Sequence, residues 1–286
     1  MMKGEEMKRA VILITLVLTA FLAIATAPSC NERNSGSIFS APIAIYGDSR
    51  TDSAAHLSVI EAIAKTNPKI VFSTGDLVAD GNIESQWDAF FQIISNLPKG
   101  CRYYPAIGNH EAGSKYYFDR FELPNNERWY SVHYRNLHFI ILDSNEDLSP
   151  GSKQYDWLEG ELKNSKGDFK IAIDHHPPFS SGPHREDEKG LRKSIVPLFE
   201  RYNVSALFSG HDHIYERSLH NGIYYIVTGG GGAPLYDSTQ TNEYSEVFAK
   251  RYHFCALVPS KSSIEVFVLG TDLKQIDRFR IYRAKM

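Results

Sequence analysis

Carboxylate, carboxamide and imidazole side chains gather in a few short segments of this chain: GDS at 47–49, GDLVADG at 75–81, GNHE at 108–111, DHHPPF at 174–179 and GHDH at 210–213. They offer Asp48, Asp76, Asn109, His175, His211 and His213, oxygen and nitrogen donors suited to two divalent or trivalent metal ions. Two cations a few ångströms apart repel each other unless they share an anion, and Asp76 is the candidate bridging carboxylate. Asp48 would hold one ion, while the Asn109 oxygen and the imidazoles complete the shells. Ions roughly 3.5–4 Å apart turn a bound water into hydroxide near neutral pH and screen phosphoryl oxygens during in-line attack. The chemistry such a site would support is hydrolysis of a phosphate ester. Asp and Asn also favour strand-to-helix turns, but turn formation alone does not account for their occurrence together with a His-His and a His-x-His pair.

Most of these segments follow a run of β-branched and apolar residues. Residues 42–46 (PIAIY) read as a strand ending at Asp48, 69–74 (KIVFST) as a strand running into Asp76, and 102–106 as a short strand before GNHE. Helices are expected at 53–65 and 83–96, so the first half alternates strand and crossover helix. Residues 130–134 and 137–142 flank Arg135-Asn136 and read as a hairpin. A helix at 153–163, a strand at 169–174, a helix at 188–202 and a strand at 204–208 follow. Further strands are expected at 223–228, 252–258, 263–269 and 275–282. The candidate ligands then collect at the carboxyl ends of strands, where open α/β sheets place their chemistry. The expectation is one domain over 41–286, with two stacked mixed sheets and helices outside.

The 286 residues suffice for one large α/β domain or two small ones, and 42% hydrophobic content supports a sizeable core. Lys3, Lys8 and Arg9 precede an uncharged apolar run from Ala10 to Ala27, the pattern of an export signal over 1–29. The run is also long enough, at about 20 residues per crossing, to remain as a membrane anchor. Cys30 then opens a polar linker over 30–40 and resembles the lipidated residue of a bacterial lipoprotein. Cleaved signal, anchor and lipid all predict an exported protein on the periplasmic or extracellular face of the cell envelope. Removing residues 1–29 moves the formal charge from −3 to −4, with no basic footprint for nucleic acid. Cys101 and Cys255 remain, and an exported protein could pair them.

The order GD, GD, GNHE, H-x-P and GHxH resembles the calcineurin-like metallophosphoesterase superfamily. WYSVHYRNLHFIILDS at 129–144, QYDWLEGEL at 154–162 and GHDHIYER at 210–217 resemble its purple acid phosphatase branch, so the resemblance covers roughly 41–230. It implies a four-layer α/β/β/α sandwich and a dinuclear centre of Fe, Mn or Zn, the identity being open. Asp48, Asp76 and His213 would bind the first ion, and Asp76, Asn109, His175 and His211 the second. His110 would contact the phosphate and protonate the leaving alkoxide, with Glu111 orienting its ring. His184 falls where the branch has a substrate-facing histidine, and the H-x-P pattern selects His175 over His176.

Two departures stand out. Ala79 replaces the branch's metal-ligating tyrosine, which implies no tyrosinate charge-transfer band, and Arg50 replaces the histidine ligand of most other members. The first position then lacks a ligand that water or His56 would supply; His56 is otherwise a substrate contact or a helix-surface residue. Arg50 either clamps a phosphate oxygen with its fork of donors or pairs with a surface carboxylate. The glycines at 229–232 either bring backbone close to the metals or form a tight turn. The resemblance implies an exported metal-dependent phosphohydrolase. It would cleave a small-molecule phosphomonoester or phosphodiester by metal-bound hydroxide, without a covalent intermediate. The alternative is a catalytically weak or inactive surface protein that uses the scaffold for binding, and Arg50 is the feature in its favour.

Overall fold

The computed structural model describes residues 41–165, 169–184 and 187–283. The expected signal or anchor over 1–29, the linker over 30–40 and Cys30 lie outside the described residues. In chain order the elements are β1 (Ile43–Tyr46), α1 (Ser53–Lys65), β2 (Ile70–Ser73), α2 (Glu84–Ile94), β3 (Arg102–Pro105), α3 (Lys115–Arg120), β4 (Tyr130–Tyr134), β5 (Leu137–Ile141) and α4 (Lys153–Asn164). There follow β6 (Phe169–Ile173), α5 (Leu191–Arg201), β7 (Ala206–Ser209), β8 (Tyr215–His220), β9 (Ile223–Thr228), β10 (Ser245–Ala249), β11 (His253–Pro259), β12 (Ser263–Gly270) and β13 (Gln275–Tyr282).

Side-chain alternation along the strands sets the layers. Ile43, Ile45, Ile70 and Phe72 turn one way and pack against Phe139, Ile141, Ile171, Ile173 and Phe208 of the other sheet. The Phe72 and Phe139 rings stack with centroids 4.3 Å apart. Ala44, Tyr46 and Val71 turn the other way, onto Val59, Ile60 and Ile63 of α1. On the far side Ile140, Ala172 and Leu207 meet Leu158 and Leu162 of α4 and Ile195, Leu198 and Phe199 of α5. The result is helix, sheet, sheet, helix. The first sheet has the order β13-β12-β11-β1-β2-β3 and the second β10-β8-β9-β7-β6-β5-β4. Strands β1, β2 and β3 run parallel, as do β5, β6, β7 and β9, so their carboxyl ends lie together at one edge of each sheet. Ile171 is fully buried between the sheets, and Ile171→Val should cost about 1 kcal/mol in denaturant unfolding with an unchanged m-value.

The structure departs from expectation in a few elements. Helix α5 begins at Leu191 rather than 188, because Gly190 before it has φ 69, outside the helical region. The short α3 and strands β8 and β10 were not anticipated. Cys101 and Cys255 are both free, the latter buried on β11, so no disulfide joins them. Among the described residues no helix is long and apolar enough to cross a membrane.

Candidate metal centre

Every candidate ligand loop leaves the carboxyl end of a parallel strand: Asp48 after β1, Asp76 after β2, Asn109 after β3, His175 after β6 and His211 after β7. The backbone there is unusual. Asp48, Asp76 and His211 have φ of 58, 54 and 68, in the sparsely populated left-handed region, a cost the surrounding structure must hold. Gly108 and Gly210 let the loops interlock: a Cβ at Gly108 would lie 2.2 Å from Asp76 Oδ1, and one at Gly210 would lie 2.4 Å from Asp48 Oδ2.

Glu111 fastens the second and third loops together. Its buried carboxylate accepts from the backbone N–H groups of Asp76, Val78 and Gly108, each at 3.0 Å. Burial and the neighbouring Asp76 push it up to about 8. It does not orient the His110 ring, as the sequence suggested; that ring places Nδ1 2.5 Å from the Ala79 carbonyl. Glu111→Gln turns one acceptor oxygen into a donor facing backbone N–H. It should cost about 1–3 kcal/mol in unfolding and weaken metal retention.

The Asp76 carboxylate faces two ways. Oδ1 lies 3.4 Å from His175 Nε2, whereas Oδ2 lies 3.1 Å from Arg50 Nε and 3.7 Å from His110 Nε2. Across from it, His213 Nε2 is 3.6 Å from Asp48 Oδ1. Asn109 Oδ1 lies 2.9 Å from His175 Nε2 and 3.1 Å from His211 Nδ1. Backbone carbonyls set the ring tautomers: His175 Nδ1 donates to Thr74 at 2.9 Å and His213 Nδ1 to Pro234 at 2.8 Å, which leaves both Nε2 lone pairs aimed inward.

The donor set fits metal ions. His175 Nε2 and Asn109 Oδ1 then confront each other as two acceptors with no proton between them, which a cation would relieve. His211 turns Nδ1 toward both of them, 3.1 Å from Asn109 Oδ1 and 3.2 Å from His175 Nε2, with its Nε2 3.4 Å from Glu188 Oε1. Burial and Asp76 raise Asp48 well above the usual carboxylate range, the signature of two buried acids without enough positive charge. Asp76 itself is held low: burial pushes it up, and His175, His110 and Arg50 outweigh that. Burial lowers His175, His176 and His211 and brings His213 to about 4, so these rings are neutral at pH 7, the form that coordinates. Ligand atoms of Asp48, Asp76 and His175 lie within 4.8 Å of one another, as do those of His175, His176 and His211.

The other singled-out residues divide. Arg50 is at the cluster, paired with a buried carboxylate rather than a surface one. His184 is also there: its ring stacks on His211 at 3.8 Å and its Nδ1 donates to Asp212 Oδ1 at 2.7 Å. That hydrogen bond holds His184 above its ordinary value. His56 is not a helix-surface residue. It is buried between Tyr46 and Phe90, hydrogen-bonded to the Tyr46 hydroxyl at 3.0 Å, and burial lowers it to about 3. The glycine run does bring backbone close: Gly231 N–H donates to Gly47 O and Ala233 N–H to Asp48 O, each at 2.8 Å.

Three residues escaped the sequence reading. His176 was set aside because the H-x-P pattern selects His175, but β6 ends at Ile173 and both rings reach the cluster. Asp212 lies between two candidate ligands and fixes His184. Tyr236 stacks on His213 at 4.1 Å, and nothing local in its sequence signals that.

A four-layer α/β sandwich with carboxylates and imidazoles at its strand ends defines a metallophosphoesterase architecture. A family model described as calcineurin-like phosphoesterase matches residues 41–215, and the chain belongs to that family. It is 28% identical over 206 residues to a probable purple acid phosphatase of Arabidopsis thaliana, covering 65% of this chain and 48% of that protein. It is 28% identical over 276 residues to a nucleotide pyrophosphatase/phosphodiesterase of Hordeum vulgare, covering 76% of this chain and 73% of that one. Among solved structures, a purple acid phosphatase from yellow lupin seeds superposes with a TM-score of 0.75 at 23% identity, over 87% of this chain and 55% of that one. The chain thus spans about half the length of the purple acid phosphatases it matches.

Proposed function

We propose that this protein is an exported metal-dependent hydrolase of small-molecule phosphate esters, working through a two-ion centre. Asp48, Asp76 and His213 form one ligand set, and Asp76, Asn109, His175 and His211 the other. The observation that carries this reading is the convergence of His175 Nε2, Asn109 Oδ1 and His211 Nδ1, at 2.9, 3.1 and 3.2 Å from one another, beside the Asp76 carboxylate. Two ions there would acidify a water and screen charge on the phosphoryl oxygens. The chain's own residues do the rest. Asp76 turns Oδ1 toward His175 of one set and Oδ2 toward Arg50, which itself reaches His213 of the other, so it would be the shared carboxylate. His110, whose Nδ1 donates to the Ala79 carbonyl, turns Nε2 toward Asp76 Oδ2 and in its protonated form would hand the Nε2 proton to the leaving alkoxide, becoming neutral. His184, whose protonated form the hydrogen bond to Asp212 favours, would hold a phosphoryl oxygen.

A cavity of about 350 Å³ lined by Ser144, Asn145, Leu148, Lys189 and Ser194 offers room for the alcohol part of the ester. Ser144 links it to the centre through a 2.7 Å hydrogen bond with His176. Export rests on the apolar run from Ala10 to Ala27, with the membrane reached through that segment or a lipid on Cys30.

A second reading, a scaffold that binds without turnover, draws on Arg50 lying against two ligands of the first set. Rates on a panel of mono- and diesters with added Mn²⁺, Zn²⁺ or Fe²⁺ separate the two. Turnover of at least one ester class that depends on the added ion is expected, and none under any ion would favour the scaffold.

A further inference from the structure

We propose that Arg50 is a built-in cation that holds the first metal position until an entering ion displaces it. The inference rests on the two-ion reading above. Arg50 Nε donates to Asp76 Oδ2 at 3.1 Å, and Nη2 lies 3.3 Å from His213 Nε2. Because His213 Nδ1 already donates to Pro234 O, its Nε2 can only accept, and the guanidinium supplies the proton. Two of the three donors assigned to the first ion are therefore occupied by one side chain. In the second set the ligand atoms face one another instead: His211 Nδ1 lies 3.1 Å from Asn109 Oδ1 and 3.2 Å from His175 Nε2.

Loading the first position means breaking a charge-assisted pair, so that ion binds more weakly than its ligands alone would allow. The displaced guanidinium has somewhere to go. A cavity of about 340 Å³ lies beside it, lined by Ser49, Arg50, Thr51, Ala79, Gln86 and Phe90. Arg50 and the first ion thus compete for Asp76 and His213, and the degree of loading follows the metal concentration.

The test uses the full chain, stripped with a chelator and titrated by calorimetry with Mn²⁺ alone and, separately, Zn²⁺ alone. The wild type should keep one ion per chain after desalting and bind a second more weakly. Arg50→Met keeps the apolar stem, removes the charge and adds no ligand. It should bind the second ion at least about tenfold more tightly, with a larger rise in Tm on metal addition. Arg50→Gln should move the same way, which guards against a misfolded first variant. Equal affinity for the second ion in wild type and both variants would overturn the inference, as would two ions retained by the desalted wild type. Binding of no ion by any of the three would sink the two-ion reading itself and this inference with it.

Discussion

Asp76→Asn should reduce hydrolysis of an aryl phosphate by roughly 10⁴-fold, about 5.4 kcal/mol of transition-state stabilisation. Asp76 is the residue whose two oxygens face different partners, His175 on one side and Arg50 with His110 on the other. The amide keeps the shape and one acceptor oxygen, so the loops stay where Glu111 fastens them through backbone N–H groups. It loses the negative charge that a pair of cations would share. Thermal unfolding of the metal-free variant should stay within a few degrees of wild type, since the lost pair with Arg50 is offset by relief of the Asp48 repulsion. Undiminished hydrolysis in a folded variant would exclude Asp76 from the chemistry.

His110→Ala should lower kcat by about 10²–10⁴-fold on alkyl phosphates and by less on aryl phosphates. An alkoxide needs a proton on departure, whereas a nitrophenolate scarcely does. The geometry supports the assignment: the ring is only partly buried and its Nδ1 is tied to the Ala79 carbonyl. Its backbone N–H also donates to Asp76 Oδ1 at 3.2 Å, a contact the substitution leaves intact. Equal losses on both ester types would assign His110 to positioning the phosphate instead.

Much of the candidate site was legible because the residues singled out as ligands lie at strand ends marked by glycine, where sequence neighbours become spatial neighbours. Asp48 after β1 and Asp76 after β2 follow from the strand pattern alone, given that parallel strands put their carboxyl ends together. What the sequence could not show was which atoms meet across loops. Glu111 sits next to His110 in the chain, yet its carboxylate turns inward to three backbone donors, because those N–H groups have no other partner in so tight a crossing. His56 looked available on the polar start of α1, but the helix turns that face onto Tyr46 and Phe90. Strand β8 was hidden for another reason. Its residues continue a ligand motif, and only antiparallel pairing with β9 and β10 makes them a strand.

The account stands most directly on metal dependence. The full chain should be assayed for bound metal and for its rate on p-nitrophenyl phosphate, before and after chelation and again after an ion is restored. The predicted result is bound metal in the purified protein, a rate that falls to background on chelation, and recovery with Mn²⁺, Zn²⁺ or Fe²⁺. Full activity in protein shown to carry no metal would contradict it.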